Sequence, residues 1–409
     1  MHMPAIHQGM SKEALKANNV FAILNLLYKK GAMPRKDIAA AIHLTPATVT
    51  MLTNEMIKNN LLVELGEITE ENHAGRRKIQ VDINYRCGYV AGIYIERSQA
   101  VTALSYLNGE CIACETKDIR DGIRPEVLVD YFKEVIDGMI EANGLQRDQF
   151  CYIGVSVTGY VNPEKGISED SQGLFEKNCN LKELFSSRFH APIVIENNVR
   201  ALTIAEIDFN RSSEKINGLF IKHSPGLGGA LIIDNSVYSG AHFHAGELGH
   251  FTVDPEGKRC VCGKRGCIST ILDRTELIRK AREAFGPDTT PALWKTARGS
   301  ESNINLYAML QGAIENDVPI CRILESAATQ LAIVIENSMQ LINGDVVITF
   351  GPLLTNDWFR RLLDDKLDQI SCGTRSYQLR SSRIGENELW KASVAVAVRK
   401  LLRLLSQKQ

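Results

Sequence analysis

Ala245-Gly246-Glu247-Leu248-Gly249-His250, followed after nine residues by Cys260-Val261-Cys262-Gly263-Lys264-Arg265-Gly266-Cys267, is the chemically densest stretch of this chain. Three cysteines within eight residues and a histidine just upstream form a closed tetrahedral donor set for Zn²⁺, which favours soft sulfur and imidazole nitrogen. Gly257, Gly263 and Gly266 let a short loop wrap around one ion. With His250, Cys260, Cys262 and Cys267 all as ligands, no position remains for water, so the expected zinc is structural, one per chain. The other seven cysteines are scattered. Cys111 and Cys114 have a CxxC spacing, but in strand-like sequence they are expected on opposite faces, as buried thiols.

Around this loop the texture is that of an α/β protein. Strand-like runs Tyr89–Ile95, Val101–Tyr106, Tyr152–Val157, Ile193–Ile195, Gly218–Lys222, Ala230–Ile233 and Val346–Phe350 alternate with helical patterns over 125–143, 199–209, 320–341 and 388–405. At 409 residues, with 44% hydrophobic and 23% charged residues, the chain has material for several domains and is not disordered. No uninterrupted apolar run approaches about 18 residues and no signal-like N-terminus is visible, so a cytoplasmic protein without membrane contact is expected. Ten cysteines in such a setting read as thiols or metal ligands, not as a disulfide framework.

The first 85 residues differ from the rest. Three helical patterns precede an alternating run, Ile79-Gln80-Val81-Asp82-Ile83, which returns from a polar excursion through a basic stretch; this is a winged helix-turn-helix. Thr45 and Pro46 are a good N-cap and first residue for the third helix. Val49, Leu52 and Met56 share its inward face, while Ala47, Thr50, Met51 and Asn54 share the other. Net charge is −1 overall, yet residues 1–86 hold 11 Lys/Arg against 8 Asp/Glu, a modest positive excess in the module that would meet DNA. Ala47, Thr48, Thr50, Met51 and Asn54 are expected at base edges, Arg35 and Lys36 at phosphates, and Arg76, Arg77 and Lys78 at the wing.

The combination of Gly240-Ala241-His242, Ala245–His250 and the cysteine cluster resembles the signature of the ROK family (repressors, open reading frames, kinases). Ile153–Gly159, Ile195-Glu196-Asn197-Asn198 and Ser224-Pro225-Gly226-Leu227-Gly228-Gly229 extend the resemblance over nearly the whole chain. A winged helix-turn-helix ahead of such a body is the arrangement of its sugar-responsive repressors. The resemblance implies a two-lobed actin-like ATPase body behind the DNA-binding domain 1–85. The small lobe would be 86–195, completed by 381–409; the large lobe, 196–380, would carry the zinc and the oligomerisation surface. It also implies a cleft in which Asn197, Asn198, Glu247 and His250 bind a sugar or sugar derivative.

The family's kinases use an Asp where Asn198 stands, and a carboxamide has no useful basicity near pH 7. Their phosphate turn, Asp-x-Gly-Gly-Thr, is represented by Tyr94, Glu96 and Arg97, which fill the places of the Asp and the glycines. Ser269 replaces a sugar-binding Glu, and Thr158 a usual Pro. The implied protein is a repressor without kinase activity, binding double-stranded operator DNA as a homodimer or homotetramer under control of a sugar effector. Two other readings stand beside it: an active sugar kinase with an accessory DNA-binding module, and a regulator controlled by a partner protein.

Overall fold

The computed structural model describes residues 11–68, 78–120, 122–210 and 215–407. The chain forms two compact units, one made of residues up to Glu214 together with Leu389–Gln409, the other of Lys215–Glu388. These borders fall later than the lobe borders that the resemblance implies. Helix 198–209 packs with the C-terminal helix, and strand 378–381 belongs to the sheet of the second unit.

The first unit begins with α1 (Lys12–Lys30), capped by the Ser11 side chain, which accepts from the Ala14 N–H. Val20, Ile23, Leu24, Leu27 and Tyr28 form its buried stripe. A short strand β1 (Met33–Pro34), α2 (Arg35–Ala41) and α3 (Pro46–Lys58) follow. The Thr45 side chain accepts from the Thr48 N–H, and Pro46 occupies the first turn, where a missing N–H costs nothing. Strands β2 (Leu62–Ile68) and β3 (Lys78–Ile83) are antiparallel and complete a sheet in the order β1-β3-β2. This is the winged helix expected from the sequence.

Next come β4 (Tyr89–Ile95), β5 (Gln99–Tyr106), β6 (Cys111–Asp118), α4 (Pro125–Ala142), β7 (Phe150–Val157), the hairpin β8 (Tyr160–Asn162) and β9 (Ile167–Asp170), α5 (Leu181–Ser186), β10 (Ile193–Asn197) and α6 (Asn198–Phe209). The sheet runs β10-β7-β4-β5-β6, with β10, β7 and β4 parallel and the other pairs antiparallel. Ala91, Ile93 and Ile95 pack with Phe132, Ile136 and Phe185 on one side of it. A bulge in the β5–β6 pairing sets Ala103 opposite Cys114 and Ser105 opposite Cys111, which brings the two cysteines to one face of the edge strand. Both are exposed, contrary to the opposite-facing buried pair that regular alternation predicts.

The second unit contains β11 (Gly218–His223), β12 (Leu227–Ile233), β13 (Ser236–Tyr238), α7 (Ser269–Leu272), α8 (Arg274–Glu283), α9 (Pro291–Thr296), α10 (Leu306–Ile314), α11 (Val318–Ile342), β14 (Val346–Phe350), α12 (Asp357–Ile370) and β15 (Gln378–Ser381). Its sheet has the order β13-β12-β11-β14-β15. By length and composition α11 is apolar enough to cross a membrane, which a search for uninterrupted apolar runs misses. Its Leu324, Ala328, Leu331 and Ile335 lie in the hydrophobic core of this unit.

Helix α13 (Trp390–Gln407) returns to the first unit and packs on β4, β7 and α6. The approach is backbone to backbone: a Cβ at Gly154 would lie 2.0 Å from the Ser393 carbonyl oxygen. Only glycine permits it. The Ser393 hydroxyl completes the contact by donating to Ile93 O at 2.8 Å. Helix α1 also lies against α13, with the Arg403 guanidinium 5.8 Å from the Phe21 ring centre.

Candidate functional site

The His250–Cys267 segment is folded back on itself by short backbone pairings, Thr252 with Cys267 and Arg259 with Arg265. Gly266, at φ 61°, has no room for a side chain, since a Cβ there would sit 1.4 Å from Asp254 O. The fold draws the ligand atoms of His250, Cys260, Cys262 and Cys267 to within 4.8 Å of one another. Cys260 Sγ lies 3.6 Å from His250 Nδ1, and Cys262 Sγ lies 3.6 Å from Cys267 Sγ. A tetrahedral ion with metal–sulfur bonds of about 2.3 Å needs donor–donor edges of roughly 3.5–3.8 Å, so this His/Cys group could hold a metal.

Burial, neighbouring sulfurs and the Lys264 ammonium set the protonation of these groups. Burial first, and then hydrogen bonds to Cys262 and Cys260, push the Cys267 thiol up to about 12. Burial raises Cys262 too, but the Lys264 N–H, the neighbouring thiols and the Lys264 charge outweigh it and hold that thiol below its ordinary value. Burial also lowers His250, aided by Lys264, favouring the neutral imidazole a metal requires. The loop is clipped to α8 by Lys258, whose ammonium lies 2.6 Å from Glu276 Oε1. Hydrogen bonds from Arg279, opposed by burial and supported by Lys258, bring the Glu276 carboxyl down to about 2.

The four expected sugar ligands divide between the units: Asn197 and Asn198 in the first, Glu247 and His250 in the second. Asn197 is engaged structurally. Its Oδ1 accepts from Val199 N at 2.9 Å and Arg200 N at 3.0 Å, capping α6, and its Nδ2 donates to Gly159 O at 2.8 Å. Asn198 opens the helix beside it and is 4% exposed. Its Nδ2 lies 3.4 Å from both Tyr94 Oη and Glu96 Oε1, while Tyr94 donates to that same oxygen at 2.8 Å. Burial, the Glu96 charge and this hydrogen bond hold the Tyr94 phenol well above its ordinary value. The turn after β4 is a tight hairpin in which Glu96 N donates to Gln99 O at 2.8 Å. The second glycine-rich segment is likewise a strand-to-strand turn, with His223 paired to Leu227. Glu247 is half-buried, and the Ser269 hydroxyl is spent on Gly249 O.

In the winged module Ala47, Thr50, Met51 and Asn54 are exposed along α3, and Lys36 is exposed on α2. Thr48 is half-buried, its hydroxyl 2.8 Å from that of Thr45. Arg35 departs from expectation: Nε donates to Thr53 Oγ1 at 2.9 Å, and NH2 reaches Asn54 Oδ1 at 3.1 Å and Glu64 Oε1 at 2.7 Å. It braces α3 against β2 instead of standing free for phosphate. Lys78 begins β3; Arg76 and Arg77 lie outside the described residues.

One polar link has no counterpart in the sequence reading. Arg399 on α13 grips Asp208, near the end of α6, through two hydrogen bonds of 2.6 Å, and the Asp208 side chain is fully buried. The partners are 191 residues apart, so no local pattern pairs them. Lys29 of α1 is beside them: burial and the Arg399 charge hold its ammonium below the ordinary value, with Asp208 acting the other way.

Comparison with known proteins places these features together elsewhere. The ROK family model matches residues 90–378 and the MarR family model matches residues 18–63. The xylose repressor of Bacillus subtilis (strain 168) is 24% identical over 390 residues, covering 91% of this chain and 93% of that protein. The transcriptional dual regulator NagC of Escherichia coli (strain K12) is 26% identical over 259 residues, 63% of each chain. Among solved structures, a ROK family transcriptional regulator described as a homolog of the E. coli MLC protein superposes with a TM-score of 0.78. It is 23% identical and covers 96% of this chain and 99% of its own. A ROK family glucokinase from Streptomyces griseus, solved with glucose and AMPPNP, covers 76% of this chain and 99% of its own, with a TM-score of 0.66 and 20% identity. These likenesses give the fold as an actin-like kinase body behind a MarR-type winged helix.

Proposed function

The chain belongs to the ROK family, and from that premise we propose that it is a sugar-responsive transcriptional repressor. One observation carries this: the DNA-binding module and the ROK body occur in one chain, and relatives named as repressors match across both. An exposed row on α3, Ala47, Thr50, Met51 and Asn54, with Thr48 at its base, would face the major groove. Lys36, and Arg76, Arg77 and Lys78 of the wing, would meet phosphate or minor groove. Arg35 acts inside the module, holding the Asn54 carbonyl.

In the body, Asn198, Glu247 and His250 would bind the carbohydrate, with Asn197 shaping the site through its cap on α6. Catalysis has been given up: Asn198 is no general base, and Glu96 occupies the turn that would have to admit phosphate. His250, Cys260, Cys262 and Cys267 would hold one structural zinc, which ties the loop to the histidine and fixes its ring. Two copies, or an even number, would read a palindromic operator in the cytoplasm.

Selection of bound fragments from random duplex DNA by the purified protein tests the reading. An inverted-repeat site should emerge, with affinity falling steeply as salt rises. One carbohydrate should weaken that binding by roughly 5–150-fold, a coupling of about 1–3 kcal/mol. Failure to enrich any sequence, or a site whose affinity no carbohydrate alters, overturns it. No ADP should be released with glucose or N-acetylglucosamine; sustained turnover would restore the kinase.

A further inference from the structure

The contacts around Arg35 bear on which base the winged module reads. Thr53 is fully buried, and its hydroxyl donates to Val49 O at 2.8 Å. Its proton is thereby spent, and the oxygen accepts from Arg35 Nε at 2.9 Å. With Nε fixed, a terminal nitrogen of the same guanidinium donates to Asn54 Oδ1 at 3.1 Å and to Glu64 Oε1 at 2.7 Å. An arginine has donors only, so the end of the Asn54 amide that it meets is the carbonyl oxygen, and the amide is held in one of its two orientations. The Asn54 NH₂ has no hydrogen-bond partner among the described residues. Asn54 is exposed on α3, one turn after Thr50 and Met51 on the same face.

We infer that Arg35 is a positioning residue that makes Asn54 a donor-only reader, and that Asn54 reads a G·C pair through its guanine. The inference rests on the repressor reading above, with α3 in the major groove. An asparagine free to turn reads adenine through both ends of its amide, accepting from N6 and donating to N7. Here the accepting end already holds a guanidinium, whose charge opposes the approach of an amino group. The remaining NH₂ matches an edge made of acceptors alone. Guanine offers two neighbouring ones, O6 and N7; thymine offers O4 beside a methyl group, and cytosine offers a donor. Arg35 thus sets specificity through Asn54, its own charge being taken up by Glu64 and not by phosphate.

Selection of bound fragments from random duplex DNA by the full-length protein, repeated with variants, tests this. In the wild-type half-site one G·C pair should be preferred over A·T on the order of tenfold, and Asn54→Ala should erase that preference at that pair alone. Arg35→Met keeps the length of the side chain and removes its donors. It should relax the preference at the same pair, and do nothing further there in the Asn54→Ala background. The salt dependence of Arg35→Met should match that of wild type, whereas loss of a phosphate contact lowers the slope by about one. The wild-type and Asn54→Ala comparison stands even where Arg35→Met fails to fold. Three outcomes overturn the inference and leave the repressor reading intact: an A·T pair, or no pair, that depends on Asn54; an unchanged preference in folded Arg35→Met; or a slope lowered by about one. Enrichment of no sequence sinks the repressor reading itself, and this inference with it.

Discussion

The loop around His250 and the turn around Glu96 are both small polar clusters, but they are satisfied in opposite ways. At the loop, three sulfurs and a ring nitrogen lie within 4.8 Å of one another. At the turn, a phenol and an amide close on a carboxylate oxygen, leaving it bonded from within the chain. Burial and the neighbouring sulfurs raise the Cys267 thiol, so its neutral form is favoured where no cation compensates a thiolate. The contrast separates four convergent metal-type donors from a cluster whose donors and acceptor meet within the fold.

The sharpest break of the comparison is at the loop. Cys267→Ser should abolish stoichiometric zinc, read by elemental analysis, and destabilise the second unit by more than about 3 kcal/mol in denaturant unfolding. Full metal retention would show that Cys267 is not among the ligands that hold the metal. At the turn, Tyr94→Phe removes a donor to a buried carboxylate and should cost about 1.5–3 kcal/mol without any change in metal content. A smaller effect belongs to the clip between the loop and α8. The Glu276 carboxyl is held down to about 2 from an ordinary value of 4.5, so its contribution is complete above pH 4.5 and fades as pH falls toward 2. The pairs are partly solvated, so Glu276→Gln should cost about 0.5–1 kcal/mol at neutral pH. The wild-type minus variant difference should shrink as pH falls through about 2 and vanish below it; a difference that stays constant through that fall would deny the ion pairs their role.

Much of the architecture is written in short-range signals. Thr45-Pro46 announces α3, the spacing of Val20, Ile23, Leu24, Leu27 and Tyr28 announces α1, and the cysteine spacing announces the loop. The departures share a physical cause: each depends on a contact that side-chain type and spacing alone do not reveal. Arg35 looks like a phosphate contact until Glu64 and Asn54 are seen to hold it. Asn197 reads as a sugar ligand from the sequence, and its amide also caps α6 and bonds Gly159. Cys111 and Cys114 alternate on paper, but the bulge opposite Ser105 turns them to one side. Side-chain alternation is a local rule, and a register slip is set by the neighbouring strand.

Helix α6 begins at Asn198 and carries Asp208 near its end, clamped by Arg399 of α13, the helix on which α1 rests. Its twelve residues make a rod about 18 Å long that resists shortening. A shift at its first turn therefore bends the rod, tears a guanidinium from its buried carboxylate, or drags α13 along. The first two are expensive. The cheapest outlet for a push at one end is travel at the other, underneath the shaft that bears the DNA-reading head.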